Sequence, residues 1–291
     1  MGSLIEDAWR QMIESSQSNA ERASEGPRDR AGVSAQPLAR IRPPSIEVFE
    51  RDHVLASRPV VLQGLVADWP AMRRWSLEYL QDAFASIPIT TARVEAGTVA
   101  MDAVTGLVYE RIRLGEFIGG LRRGARDRYL MSRLEDLPTD LRGDAPPPPY
   151  PARAPWCTAK LWISAEGTVS YMHRDLADNL HAQVRGRKRF TLVAPRHNAA
   201  LYPKTLLDSI PNGCHADIER PDYARFPRLR GVETLVAELE PGDAIYVPRR
   251  WWHHVRTLEA SISVNYWWAR GVQRVIVQAG DYFKRLRGIA R

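Results

Sequence analysis

The chain has 291 residues, 44% hydrophobic and 26% charged, which is the composition of a globular protein able to bury a large core in one or two domains. Its net charge of +7 comes mostly from arginine, but the arginines scatter and the one dense run, RGRKR, is short, so a nucleic-acid-binding role is not expected and an acidic peptide fits the charge as well. Cys157 and Cys214 form no CxxC pair, which argues against a disulfide framework or a structural zinc site. No apolar run is long enough to span a bilayer, the opening MGSLIEDAWRQM lacks the regions of a secretory signal, and Glu6 stands where myristoylation needs Ser or Thr. A soluble, cytoplasmic protein without a membrane partner is expected.

Taken in chain order, residues 4–13 carry Ile5, Trp9 and Ile13 at four-residue intervals and predict a short helix. From Ser15 to about Pro44 the chain is rich in Ser, Ala, Gly, Pro and Arg, so residues 1–43 read as a flexible extension. Order is expected to return at residue 44. PVVLQGL reads as a buried strand, and SLEYLQDAF as a helix capped by Ser76. APPPPYPARAP (145–155) reads as a stiff connection. KLWIS, LHAQV, KRFTLVAP, TLVAEL, DAIYVP and SISVNYWWA then follow, short and rich in β-branched or aromatic residues, with Gly and Pro between them. Many short strands with little helix between them suggest a barrel or a double-sheet jelly roll, mainly β, over residues 44–271. The last segment, 272–291, reads as an amphipathic helix through Val275, Ile276, Ala279, Tyr282, Phe283, Leu286 and Ile289. Such a helix must cover something: its own domain, or the same helix of a second subunit in a homodimer.

The stretch YMHRDLADN sets His173 and Asp175 two apart, so on a strand they aim to one face and Arg174 to the other. One imidazole and one carboxylate are two corners of a coordination sphere. Two histidines and a carboxylate on one triangular face, with three positions open, are the donor set of non-haem Fe(II) oxygenases. PGDAIYVPRRWWHHV supplies the third donor through His253 or His254. His253 is the better candidate, because it follows the tryptophans directly and His254 would face the opposite side. By itself each of these histidines could equally be a hydrogen-bonded core residue.

Taken together, the HRD block, the KRF that follows it and PGDAIYVPRRWWHHV resemble the JmjC, cupin-like, Fe(II)- and 2-oxoglutarate-dependent oxygenases. The nearest likeness is to the hydroxylase branch that includes the asparaginyl hydroxylase factor-inhibiting HIF. RPVVLQGLVADWPA and WSLEYL resemble that family's entry region, and the likeness runs from about Pro44 to Arg270. The resemblance implies a double-stranded β-helix with flanking helices, holding Fe(II) on His173, Asp175 and His253. It implies that 2-oxoglutarate chelates the iron and that Lys188 holds the cosubstrate's far carboxylate. It also implies cosubstrate contacts from Ser170, Asn179, Tyr129 and Asn265, with Trp267 lining the site. Trp251 and Trp252 are further candidates for keeping the pocket dry.

Two departures bear on the target. Asn212-Gly213 stands where the asparaginyl hydroxylase has a long polar pair, and Arg174 stands where it has an aromatic; the resemblance puts both near the substrate entrance. ERPDYARFPRL matches closely. Hydroxylation of a protein or peptide side chain is the expected reaction. Hydroxylation of a small metabolite or free amino acid, methyl-lysine demethylation, and a catalytically silent cupin binding module remain open at this point.

Overall fold

The computed structural model of the protein describes residues 32–286 apart from 103–105, 206–207 and 209. The helix expected over 4–13 lies outside the described residues. The leading strands are short: β1 (Ser34–Pro37), β2 (Arg40–Ile41) and β3 (Val60–Leu62). Next come β4 (Pro88–Glu95), β5 (Thr98–Val99), β6 (Met101–Asp102), β7 (Gly106–Leu107), β8 (Tyr109–Arg113) and β9 (Arg128–Arg133). The body of the fold is β10 (Trp156–Ser164), β11 (Val169–Arg174), β12 (Asp178–Arg185), β13 (Lys188–Val193), β14 (Glu233–Leu239), β15 (Ala244–Val247), β16 (Trp252–Thr257) and β17 (Ser261–Ala269).

Hydrogen-bonded neighbours run β1-β14-β13-β16-β11-β5-β4-β9-β10-β17-β12-β15-β3-β2, with β8 beside β4, while β6 and β7 pair separately. From β10 to β17 the chain crosses between the two halves of this path at every step but one, β13 to β14. β11, β13, β14 and β16 share one half; β10, β12, β15 and β17 share the other. A chain that crosses between facing sheets winds into the double-stranded β-helix of cupins, so the expected jelly roll is the observed fold.

Alternation along the strands decides what each sheet face touches. In the β10–β17–β12 half, Leu161, Ile163, Leu180, Ala182, Val184, Val264, Tyr266 and Trp268 point into one large apolar cluster. The helices Leu77–Phe84 and Leu114–Arg122 close it with Leu80, Leu114, Phe117 and Ile118. Ser76 caps the first of these helices, its Oγ accepting from Tyr79 N at 3.1 Å. The residues between them in sequence, including Lys160, Trp162, Asn179, His181, Gln183, Ser263, Asn265 and Trp267, are left for the opposite, inner face. Phe190, Leu192, Ile245, Val247 and Val255 fill part of the space between the halves as a separate cluster.

Two segments differ from expectation. Residues 34–37 and 40–41, assigned to the flexible extension, are strand: β1 runs parallel to β14, β2 runs parallel to β3, and Leu38 between them is buried. Ladder hydrogen bonds and the Arg40–Asp243 ion pair secure a stretch whose composition alone offers little to bury. The proline-rich connection contains the short helix Pro149–Ala152, and Tyr150 stacks on Phe49 with centroids 3.9 Å apart. A helix does span Gly271–Leu286, and its Val277 packs with Ala177 and Ala269 of the domain. Val275, Ile276 and Tyr282, assigned to its apolar face, are exposed, and Ile289 lies outside the described residues. Among the described residues no helix is long and apolar enough to cross a membrane.

Candidate metal centre and cosubstrate pocket

β11 and β16 are antiparallel neighbours, and His173 is the register partner of His253. Their ring centroids are 4.2 Å apart. Each ring is turned by its own strand: His173 Nδ1 donates to Tyr171 O at 2.7 Å, and His253 Nδ1 donates to Trp251 O at 3.2 Å. That leaves Nε2 as the ligating atom of both, the arrangement by which backbone carbonyls fix the tautomer of metal-binding histidines. Burial, and then the neighbouring His173, holds the His253 imidazole well below its ordinary proton affinity, so it is neutral at physiological pH.

Asp175 lies one residue past the end of β11. Its Oδ2 is 3.7 Å from His253 Nε2 and accepts from Trp267 Nε1 at 2.8 Å. The donor atoms of His173, Asp175 and His253 all lie within 4.8 Å of one another. An imidazole–imidazole–carboxylate set gathered this closely, with both rings braced from behind by backbone carbonyls, fits a single divalent iron.

A chain of amides backs the carboxylate. Asn179 Nδ2 donates to Asp175 Oδ2 at 3.4 Å, Asn265 Nδ2 to Asn179 Oδ1 at 3.2 Å, and Trp162 Nε1 to Asn265 Oδ1 at 2.5 Å. Trp267 and Asn265 come from β17, Asn179 from β12 and Trp162 from β10. Lys160, also on β10, lies over the rings of Trp162 and Trp267 at 5.9 and 5.6 Å.

Beyond the triad, Lys188 at the start of β13 is 0% exposed. Its Nζ donates to Tyr129 OH at 3.1 Å, and among the described residues it has no ion-pair partner. Burial pulls its pKa from the ordinary lysine range down to about 7. A buried ammonium without a counter-charge is costly, so this one calls for an anion from outside. Tyr129 also hydrogen-bonds Ser170. Ser170 reaches the same side as His173 despite its opposite parity because of a bulge. Ser170 pairs with Val255 and His173 with His253, so β11 spends one residue more than β16 over that interval.

The structure therefore gathers His173, Asp175, His253, Asn179, Asn265 and Trp267 around one point, and Lys188, Tyr129 and Ser170 around a second. His254 lies on the other face of β16, its Nδ1 3.7 Å from Glu219, which also pairs with Arg256. Two expectations change. Trp252 sits in the cluster outside this sheet half with Met172 and Val193, hydrogen-bonded to Asn198, and does not line the pocket; Trp251 joins the inner apolar cluster and donates to Ser57 O. Arg174, on the face opposite the donors as its place between His173 and Asp175 implies, lies over the Trp252 ring at 4.8 Å and donates to Asn198 Oδ1. Gly213 does lie beside the ligands, bridged to His173. Trp162 and His181 were not singled out from the sequence. Alternation within KLWIS and DNLHAQ, which puts them on the inner face with Lys160 and Asn179, was the available signal.

The profile of the cupin-like domain family matches residues 45–274. The chain is 30% identical over 240 residues to a Xenopus tropicalis protein named lysine-specific demethylase 8, covering 80% of this chain and 53% of that one. It is 25% identical over 264 residues to the human bifunctional peptidase and (3S)-lysyl hydroxylase JMJD7, covering 78% and 82%. It is 27% identical over 256 residues to human tRNA wybutosine-synthesizing protein 5, covering 80% and 78%. The chain thus spans about half the length of the demethylase relatives it matches. These matches support a JmjC domain without singling out the asparaginyl hydroxylase branch.

Proposed function

The chain belongs to the cupin-like domain family of JmjC Fe(II)/2-oxoglutarate oxygenases, and on that premise we propose that it hydroxylates an unactivated C–H bond of a protein or peptide side chain. The observation that carries the reading is the pairing of two features in one interior. A braced His173–Asp175–His253 donor set stands near Lys188, a buried ammonium with no counter-charge among the described residues.

In this reading His173 and His253 ligate through Nε2 and Asp175 through its carboxylate. Ferrous iron and 2-oxoglutarate, when bound, supply oxidative decarboxylation of the keto acid coupled to C–H hydroxylation by dioxygen. The protein's own residues bind, orient and exclude water. Lys188, Tyr129 and Ser170 take the far carboxylate, and Lys188 keeps its charge once that partner arrives. Trp267 and Asn179 hold Asp175 in one orientation, with Asn265 behind them. Trp162 and Trp267, whose rings meet edge-on at 6.1 Å, provide apolar surface on the same inner face as the carboxylate's supports.

The lysine-directed names of the relatives support a polymer-borne side chain as the target class. The test has two arms. Purified protein is assayed for Fe(II)-dependent conversion of 2-oxoglutarate to succinate, with His173→Ala as control. Peptides and metabolites from a lysate are then screened side by side for a mass gain of one oxygen. No succinate from the wild type would overturn the enzyme assignment, and oxygen gain confined to metabolites would overturn the peptide assignment.

A further inference from the structure

We propose that His181 is a second anchor for the far carboxylate of the cosubstrate, set against Lys188 from the opposite sheet; this rests on the oxygenase reading above. β12 alternates Leu180, Ala182 and Val184 toward the helix-covered core with Asn179, His181 and Gln183 toward the interior. At His181 the interior position holds an imidazole where a leucine would fill similar space. The residue is 6% exposed, and its Nε2 is buried with no hydrogen-bond partner among the described residues.

Position shows what this nitrogen faces. The His181 ring meets Phe190 edge-on at 5.1 Å. Phe190 is two residues beyond Lys188 on β13 and shares its face. Burial lowers the proton affinity of His181, and Lys188 is close enough for its charge to lower it further. The imidazole is therefore neutral and can donate one N–H. A cation in this space would be repelled by the adjacent ammonium. A water would satisfy the imidazole but leave the ammonium without a counter-charge. A carboxylate between the two satisfies both: one oxygen pairs with Lys188, and a lone pair accepts from His181 Nε2. Two groups left short of partners, one on each sheet and near each other, are explained by one anion.

It follows that His181 sets selectivity for keto acids that carry the second carboxylate, and for retention of the succinate product, which keeps that group. The test is calorimetric titration of the full chain loaded with Mn(II), using 2-oxoglutarate and 2-oxopentanoate, in which a methyl replaces the far carboxylate. His181→Leu is expected to weaken 2-oxoglutarate binding about tenfold or more while leaving 2-oxopentanoate within about twofold, the size of one hydrogen bond to a charged group. His181→Gln, which keeps an N–H donor, should lose less than His181→Leu. The inference fails if 2-oxoglutarate affinity is unchanged in His181→Leu, or if both keto acids lose equally, which would mark a packing effect. If the wild-type protein binds no 2-oxoglutarate, the oxygenase reading itself fails and this inference with it.

Discussion

His173 and His253 sit directly opposite each other on antiparallel strands, while His254 turns to the far face and meets Glu219. The two adjacent histidines should therefore behave differently. His253→Ala should abolish high-affinity Co(II) or Fe(II) binding and succinate production. His254→Ala should keep metal affinity within a few-fold of wild type. Metal titration followed by the charge-transfer absorbance of the iron–keto-acid complex separates the two, and equal losses would sink the assignment of His253.

Lys188 predicts an unusual pH dependence. Its folded pKa, about 7, lies below the ordinary lysine value, so the folded state disfavours the charge. That penalty is complete below about pH 7 and is relieved as pH rises toward the unfolded pKa. Lys188→Met should thus stabilise the ligand-free protein on the order of 3 kcal/mol at pH 6, with the gain shrinking as pH rises above about 7. The same variant should lose 2-oxoglutarate binding. Denaturant melts of both proteins across this pH range check the sign; a Met variant less stable at pH 6 would contradict it.

Trp267 acts on the metal through Asp175, to which its indole N–H donates at 2.8 Å. Trp267→Phe keeps the apolar ring and removes the donor. Metal affinity should fall about tenfold to a hundredfold, the usual effect of losing a hydrogen bond behind a ligand, with little change in melting temperature. Competition against a chelator of known affinity measures it.

The turn that delivers Lys188 depends on Gly186, at φ +63°, where an added Cβ would lie 2.3 Å from Ala260 O. Both the left-handed backbone and the contact forbid a side chain. Gly186→Ala should destabilise by more than about 2 kcal/mol and weaken 2-oxoglutarate binding, because Lys188 follows two residues later. Thermal melts with and without the cosubstrate resolve the two effects.

Much of the site was legible from residue order. Strand alternation in KLWIS, DNLHAQV and SISVNYWWA already divided an apolar face from a polar one, and that division is the one seen between the helix-covered cluster and the interior. Composition misjudged residues 34–41, because the stability of β1 and β2 lies in backbone pairing with β14 and β3, which side-chain hydrophobicity does not report. The expectation that Trp252 keeps the pocket dry missed that it braces the outside of the sheet, together with Arg174 and Asn198.

What the sequence determined by itself was local: the period-two pattern, the glycine and proline punctuation, and the HxD spacing that puts two donors on one side of one strand. What only the tertiary structure decided was non-local. The register of β11 against β16 brings His253 opposite His173, and the bulge in β11 turns Ser170 to their side. Burial leaves Lys188 without a counter-charge and His181 Nε2 without a hydrogen-bond partner among the described residues. Register and burial depend on which distant strands pair, and one residue of slip would send each of these side chains to the opposite face.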